Sequence, residues 1–175
     1  MAQEGRDERT AAVLEALRRP DGSELRIFAT LAHHPKLLKR WSAFGGTLLY
    51  GGQLPPRDRE VLILRTGWRC AAEYEWGQHV EIGKAVGLTE EDVARIGGPI
   101  DAAGWPDLDR LLAQAADELH DSARLSDGTW AALAEHYDVQ QLIEVCMVVG
   151  QYHLVAFTLN SLGVEREPGV EGLPR

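Results

Sequence analysis

Arg59-Glu60-Val61-Leu62-Ile63-Leu64-Arg65, followed by Cys70-Ala71-Ala72-Glu73-Tyr74-Glu75-Trp76-Gly77-Gln78-His79, decides the fold. It reads as two consecutive helices. Val61, Leu62, Ile63 and Leu64 are apolar on almost every face of the first. A helix hydrophobic nearly all round belongs in the middle of a protein or in an interface. Glu60 sits in that run, so the helix carries a carboxyl toward a low-dielectric region, where it needs partners or keeps a proton. On the second helix Glu75 and His79 are four residues apart and share one face. A carboxylate beside an imidazole, with another carboxylate from the preceding helix, is a proton-transfer arrangement. A Glu/His pair at this spacing alone is a surface ion pair more often than a catalyst, so the rest of the chain must decide.

Working outward, Leu54-Pro55-Pro56 places proline near the first turn of the apolar helix. Upstream, a helix spans Pro35 to about Tyr50, with Leu37, Leu38, Trp41, Phe44 and Leu48 on its apolar side. Gly45-Gly46 within it allows a bend or a close backbone approach. His33-His34-Pro35 breaks a shorter helix that runs through Leu25, Phe28 and Leu31, with Ser23 as its N-cap. An opening helix over Thr10 to Arg18 ends in the turn Arg19-Pro20-Asp21-Gly22. Downstream, the second motif helix ends at Gly87, and Thr89 caps the next. Helices follow over Asp107 to Asp121, from Ser126, and over Val139 to about Leu162. No alternating strand pattern reaches four clean residues, so the chain is read as all-α. Residues 1–22 form an N-terminal helical arm, 23–163 the main domain, and 164–175 a flexible C-terminal tail rich in Pro, Gly and charge.

The 175 residues are 45% apolar and 26% charged, ordinary for a globular chain of one domain. A formal net charge of -9 without a Lys/Arg cluster argues against nucleic acid as a partner. No basic amphipathic face suggests membrane binding, and no apolar run approaches the roughly 20 residues that span a bilayer. The polar N-terminus does not read as a signal peptide. Two cysteines, Cys70 and Cys146, form no Cys-x-x-Cys or zinc spacing, which suits a reducing cytoplasm.

The same residues resemble the carboxymuconolactone decarboxylase family, which includes the alkylhydroperoxidase D type proteins. The resemblance rests on Arg59 to Arg65, on Ala72 to His79, and on Ala85-Val86-Gly87-Leu88-Thr89-Glu90-Glu91. It extends to Leu31-Ala32-His33-His34-Pro35 upstream. Downstream it takes in Asp117-Glu118-Leu119-His120, Trp130-Ala131-Ala132-Leu133 and Leu142-Ile143-Glu144-Val145. It implies an alkylhydroperoxidase D-like helical bundle assembled as a trimer or hexamer, with sites in clefts near subunit contacts. The peroxidase branch uses Cys-x-x-Cys-x-x-x-His, and its two cysteine positions fall on Ala72 and Glu75. Cys70 is two residues too early, which turns its side chain by about 200° on a helix of roughly 3.6 residues per turn. The decarboxylase-like branch, which lacks the cysteine pair and keeps a Glu four residues before the His, fits better.

These readings converge on a cofactor-independent acid/base enzyme of decarboxylase, isomerase or cyclase type, acting on a small lactone, carbonyl or carboxylate compound. Glu60, Glu75 and His79 are its catalytic candidates. His79 would move a proton, Glu75 would orient the imidazole, and Glu60, if buried, would stay protonated as acid or donor. His33, His34, Tyr74 and Tyr152 are candidates for substrate binding, although a His pair before Pro more often caps a helix. No cofactor is expected. A metal on Glu60, Glu75 and His79 is disfavoured by the lack of a second spaced His. Two other readings stay open: an antioxidant, alkylhydroperoxidase-like activity through Cys70, and a helical oligomer that binds a ligand without turning it over.

Overall fold

A computed structural model describes residues 8–19 and 22–174. Met1 to Asp7, Pro20, Asp21 and Arg175 lie outside the described residues, and with them part of the expected polar N-terminus and of the turn at Pro20-Asp21. Among the described residues the chain forms nine helices and no strand: α1 (Glu8–Glu15), α2 (Arg26–Leu31), α3 (Pro35–Tyr50), α4 (Pro56–Arg69), α5 (Glu73–Ala85), α6 (Glu90–Ile96), α7 (Asp107–Ser122), α8 (Asp127–Ala134) and α9 (Val139–Ser161).

The all-round apolar helix is the axle. Val61, Leu62, Ile63 and Leu64 of α4 are each fully buried, and α4 packs against α5, α7 and α9. Its most deeply buried cation, Arg65, is held by several partners. Nε and Nη2 donate to the two Asp117 oxygens at 2.8 and 2.6 Å, and Nη1 donates to the Ile96 and Gly98 carbonyls at 2.9 and 2.6 Å. The guanidinium also lies 4.4 Å from the Trp68 ring centre. A buried charge is tolerable when its donors are satisfied in this way.

Local chemistry sets the helix ends. Thr89 and Asp92 form a capping box on α6, as do Asp138 and Gln141 on α9. Gly87, at φ +105°, supplies the left-handed stop after α5 and lets Leu88 N donate to the Gly83 carbonyl at 2.9 Å. Ser23 is not the cap of α2, contrary to the sequence reading. The helix starts at Arg26, whose N–H donates to a Glu167 oxygen at 2.9 Å. A carboxylate from the far end of the chain satisfies the donor that Ser23 was expected to meet.

Residues 164–174 form turns that lie against α2 and α5. Glu167 also accepts from the Tyr74 hydroxyl at 2.7 Å and from Gln78 Nε2 at 2.8 Å. The Leu173 N–H donates to Glu73 at 3.3 Å. Helix α9 corrects one expectation: its 23 residues are long and apolar enough to cross a membrane by length and composition. Half of its apolar window is buried inside the fold, as in the core helix of a globular domain.

Candidate active site

Helices α4 and α5 form a tight antiparallel hairpin. Its corner is closed by the Ala72 N–H donating to the Gly67 carbonyl at 2.8 Å and by Ala71 at φ +50°. This pairing sets Glu60 opposite His79 and Gly67 opposite Glu75.

Glu60 is fully buried. One of its oxygens accepts from His79 Nδ1 at 2.7 Å, and the other accepts from Arg59 Nε at 3.2 Å. The bond from Nδ1–H fixes the imidazole tautomer and leaves Nε2 as the nitrogen with a free lone pair. The His79 ring meets the Tyr152 ring edge to face, 4.8 Å between centres and 87° between planes.

Glu75 is 2% exposed, and neither carboxyl oxygen has a hydrogen-bond partner among the described residues. Burial holds this carboxyl well above its ordinary value of 4.5, which favours its protonated form. Its space exists because residue 67 is glycine: a Cβ there would stand 3.1 Å from Glu75 Oε1.

The roles read from the sequence therefore exchange. Glu60, not Glu75, holds the imidazole, and Glu75 is the carboxyl whose proton burial favours. The i,i+4 spacing does place Glu75 and His79 on one face, but the carboxyl of Glu75 packs back against Gly67, while Glu60 reaches across the hairpin.

A cavity of about 440 Å³ opens in front of Glu75 and His79. Leu25, Ile27, Phe28, Trp41, Leu49, Val155 and Leu159 make it mostly apolar, and Arg19, Gln78, Gln151 and Tyr152 add polar groups. Trp41 Nε1 and Ser42 Oγ also line it, buried and without a partner among the described residues. Gly45 and Gly46 line it from within a continuous α3, and a Cβ at Gly45 would stand 3.4 Å from Gln151 Nε2. Glu60 lies behind His79 rather than on the cavity wall.

The substrate-binding candidates divide. Tyr152 lines the cavity, and burial, aided by the nearby Glu60, raises its phenol far above the ordinary range. Tyr74 also lines it, but its hydroxyl is committed to Glu167, and burial with that bond raises its pKa. His33 and His34 are not brought to the cavity. Both are exposed on a separate groove beside α1, and His34 Nδ1 accepts from the Leu37 N–H at 3.4 Å as the cap of α3. The break at Pro35 explains this: a residue just before the helix is spent on its free N–H groups.

Sequence reasoning did not single out Arg59, Trp41, Ser42 or Gln151. Arg59 adjoins Glu60, and that adjacency in a buried helix was the available signal; the other three come together only through the packing of α3 on α9. Cys70 and Cys146 are free thiols. Burial is the main cause that pushes the Cys70 thiol up to about 11.

Residues 35–117 match the model of the carboxymuconolactone decarboxylase family. No curated protein matches the chain. Among solved structures, an uncharacterized peroxidase-related protein with an alkylhydroperoxidase AhpD core, from Ralstonia eutropha JMP134, is similar: TM-score 0.81 at 17% identity, covering 93% of this chain and 87% of that one. An uncharacterized peroxidase-related protein from Silicibacter sp. TM1040 reaches TM-score 0.83 at 13% identity, covering 95% and 89%. A cysteine-to-alanine variant of the debrominase Bmp8, in complex with 2,3,4-tribromopyrrole, reaches TM-score 0.72 at 13% identity, with the same coverages of 95% and 89%. At these identities the likeness concerns the fold.

Proposed function

The chain belongs to the carboxymuconolactone decarboxylase family, and from that premise we propose that it is a cofactor-independent acid/base enzyme of the lyase or isomerase type. Its substrate is a small lactone, carbonyl or carboxylate compound. One observation carries this reading: an oriented imidazole and a neutral, unpartnered carboxyl share one cavity. The volume of about 440 Å³ suits a small molecule. The likeness to a debrominase bound to a brominated pyrrole supports a small ring as occupant. Arg19, at the cavity wall, suits a carboxylate end.

In this mechanism His79 Nε2 takes a proton from the carbon beside a carbonyl. The C–H electron pair moves to the carbonyl oxygen, and the Glu75 carboxyl donates to the developing oxyanion. Glu60 stabilises the imidazolium through Nδ1–H. In a decarboxylation the departing carbon dioxide leaves its electron pair to the same carbonyl, and His79, loaded beforehand with a proton from solvent, gives that proton to carbon. A dithiol peroxidase cycle has less support, since Ala72 and Glu75 occupy the two thiol positions.

The test is proton NMR in deuterated buffer on a panel of small lactones and oxo-acids. Wild-type chain should exchange or decarboxylate at least one, and His79→Gln and Glu75→Gln should each lower that rate about 10²–10⁴-fold. Equal rates in folded variants would overturn the mechanism. Binding without turnover across the panel would leave the ligand-binding reading instead. Loss on replacing Cys70, with His79→Gln unaffected, would favour the antioxidant one.

We also infer self-association as a trimer or hexamer. Val139, Ile143, Met147, Leu154 and Phe157 form an exposed apolar stripe along α9, Val139 being 72% and Phe157 61% exposed. Such a stripe suits burial against another copy. Sedimentation equilibrium should give a mass of three or six chains, and a monomer at micromolar concentration would refute it.

A further inference from the structure

Three side chains outside the acid/base cavity stand unused by that chemistry. Cys70 ends α4, His120 lies in the last turn of α7, and His153 is on α9. Cys70 Sγ is 3.8 Å from His120 Nδ1, and His120 Nδ1 is 2.9 Å from His153 Nε2. All three ligand atoms lie within 4.8 Å of one another. We propose that Cys70, His120 and His153 bind one thiophilic divalent transition-metal ion of the zinc class, in a second site beside the groove between α7, α8 and α9.

The spacing fits such an ion. A tetrahedral zinc with bonds of about 2.3 Å to sulfur and 2.05 Å to nitrogen separates S from N by roughly 3.6 Å and N from N by roughly 3.3 Å. The Cys70–His120 and His120–His153 separations of 3.8 and 2.9 Å lie within a few tenths of an ångström of those values, and Cys70 and His153, within 4.8 Å of each other, close on the ion by side-chain rotation. The donor set of one thiolate and two imidazoles suits zinc, copper or cobalt rather than magnesium or calcium.

The surroundings are built as a ligand's outer shell is. His153 Nδ1–H donates to the Val149 carbonyl at 2.8 Å, which leaves Nε2 as the coordinating atom. The Cys70 carbonyl accepts from Asn160 Nδ2 at 2.9 Å, and the left-handed Ala71 follows it, so the thiol's backbone is tied on both sides. Arg69, the residue before Cys70, is paired to Asp117 at 3.2 Å and to Asp121 at 2.5 Å, so its repulsion of a metal is offset. His120 and His153 line a groove of about 750 Å³. A Cβ at the groove residue Gly150 would meet nothing within 4 Å, so a fourth ligand from solvent has room.

Without metal, His120 Nδ1–H donates to His153 Nε2 and Cys70 keeps its proton. Binding moves the His120 proton to Nε2 by exchange with water and releases the thiol proton: M²⁺ plus thiol gives M–thiolate plus one H⁺.

The experiment uses the full chain after treatment with a chelator, titrated with cobalt(II) and then zinc(II). Expected are one cobalt per chain, a thiolate-to-cobalt charge-transfer absorption that zinc abolishes, and one proton released per metal. Cys70→Ser and His153→Gln should each weaken binding at least about 100-fold, ligands mattering no less than their outer-shell partners. Cys146→Ser should leave it unchanged. Independently, zinc should protect Cys70 but not Cys146 from alkylation in the unaltered chain, which decides the matter if a variant fails to fold. Absence of the charge-transfer absorption, its survival in Cys70→Ser, or equal alkylation of both cysteines with and without zinc would overturn the site. None of these readouts depends on turnover, so the result is separate from the fate of the proposed acid/base activity.

Discussion

At the scale of single residues, Glu60 and His79 work as one unit and Glu75 as another. Glu60→Gln keeps the shape but offers His79 an amide that can present N–H as readily as oxygen. It should lower kcat about 10–100-fold with KM little changed, measured by steady-state kinetics on the substrate found by the panel. Glu75 makes a prediction about stability as well as rate. Above its unfolded value near 4.5 the unfolded chain has lost this proton while the folded chain still holds it. Stability from this group is therefore fully present below that pH and falls as pH rises, by about 1.4 kcal/mol per unit, until the raised folded value is reached. Glu75→Gln should remove that slope, so the variant gains on wild type in urea midpoints as pH rises above 5, while losing activity. Gly67→Ala places a methyl 3.1 Å from Glu75 Oε1 and should destabilise by about 1–3 kcal/mol. The sequence identified all three of these chemical groups, because an acid in an all-round apolar run and an i,i+4 pair are both local patterns. It could not assign their roles, which depend on the register between α4 and α5.

At the scale of elements, α3, α4, α6, α8 and α9 begin where their sequences say, since proline, threonine, serine and aspartate caps act within one turn. Helix α2 begins three residues after Ser23, because its cap is contributed from 141 residues away in the chain. No local pattern contains such a partner. Glu167→Ala should fray α2 and free Tyr74, seen as faster amide exchange at Arg26 and Ile27 and a loss of about 1–2 kcal/mol. Arg65 ties α4 to α7 and to the end of α6. Arg65→Met should cost about 3–5 kcal/mol by denaturant unfolding, since it strips Asp117 of two bonds. Adding Asp117→Leu should recover part of that loss, because the stranded carboxylate is then gone.

At the scale of the molecule, the all-α class was legible because one helix needed burial on every side, and only other helices were available to supply it. The cavity was not, since its walls come from the segment after α1 and from α2, α3, α5 and α9, and meet only after packing. The cluster of Cys70, His120 and His153 was equally hidden, with its members 50 and 33 residues apart. The capping of α2 by Glu167 also bears on the order in which a ribosome delivers the chain. The hairpin with Glu60, Glu75 and His79 is synthesised well before residue 167, whereas the wall formed by Ile27 and Phe28 must wait for that carboxylate to emerge. A nascent chain thus owns its reactive groups before it owns the enclosure around them, and translation arrested short of residue 167 would yield a polypeptide with an unlatched entrance.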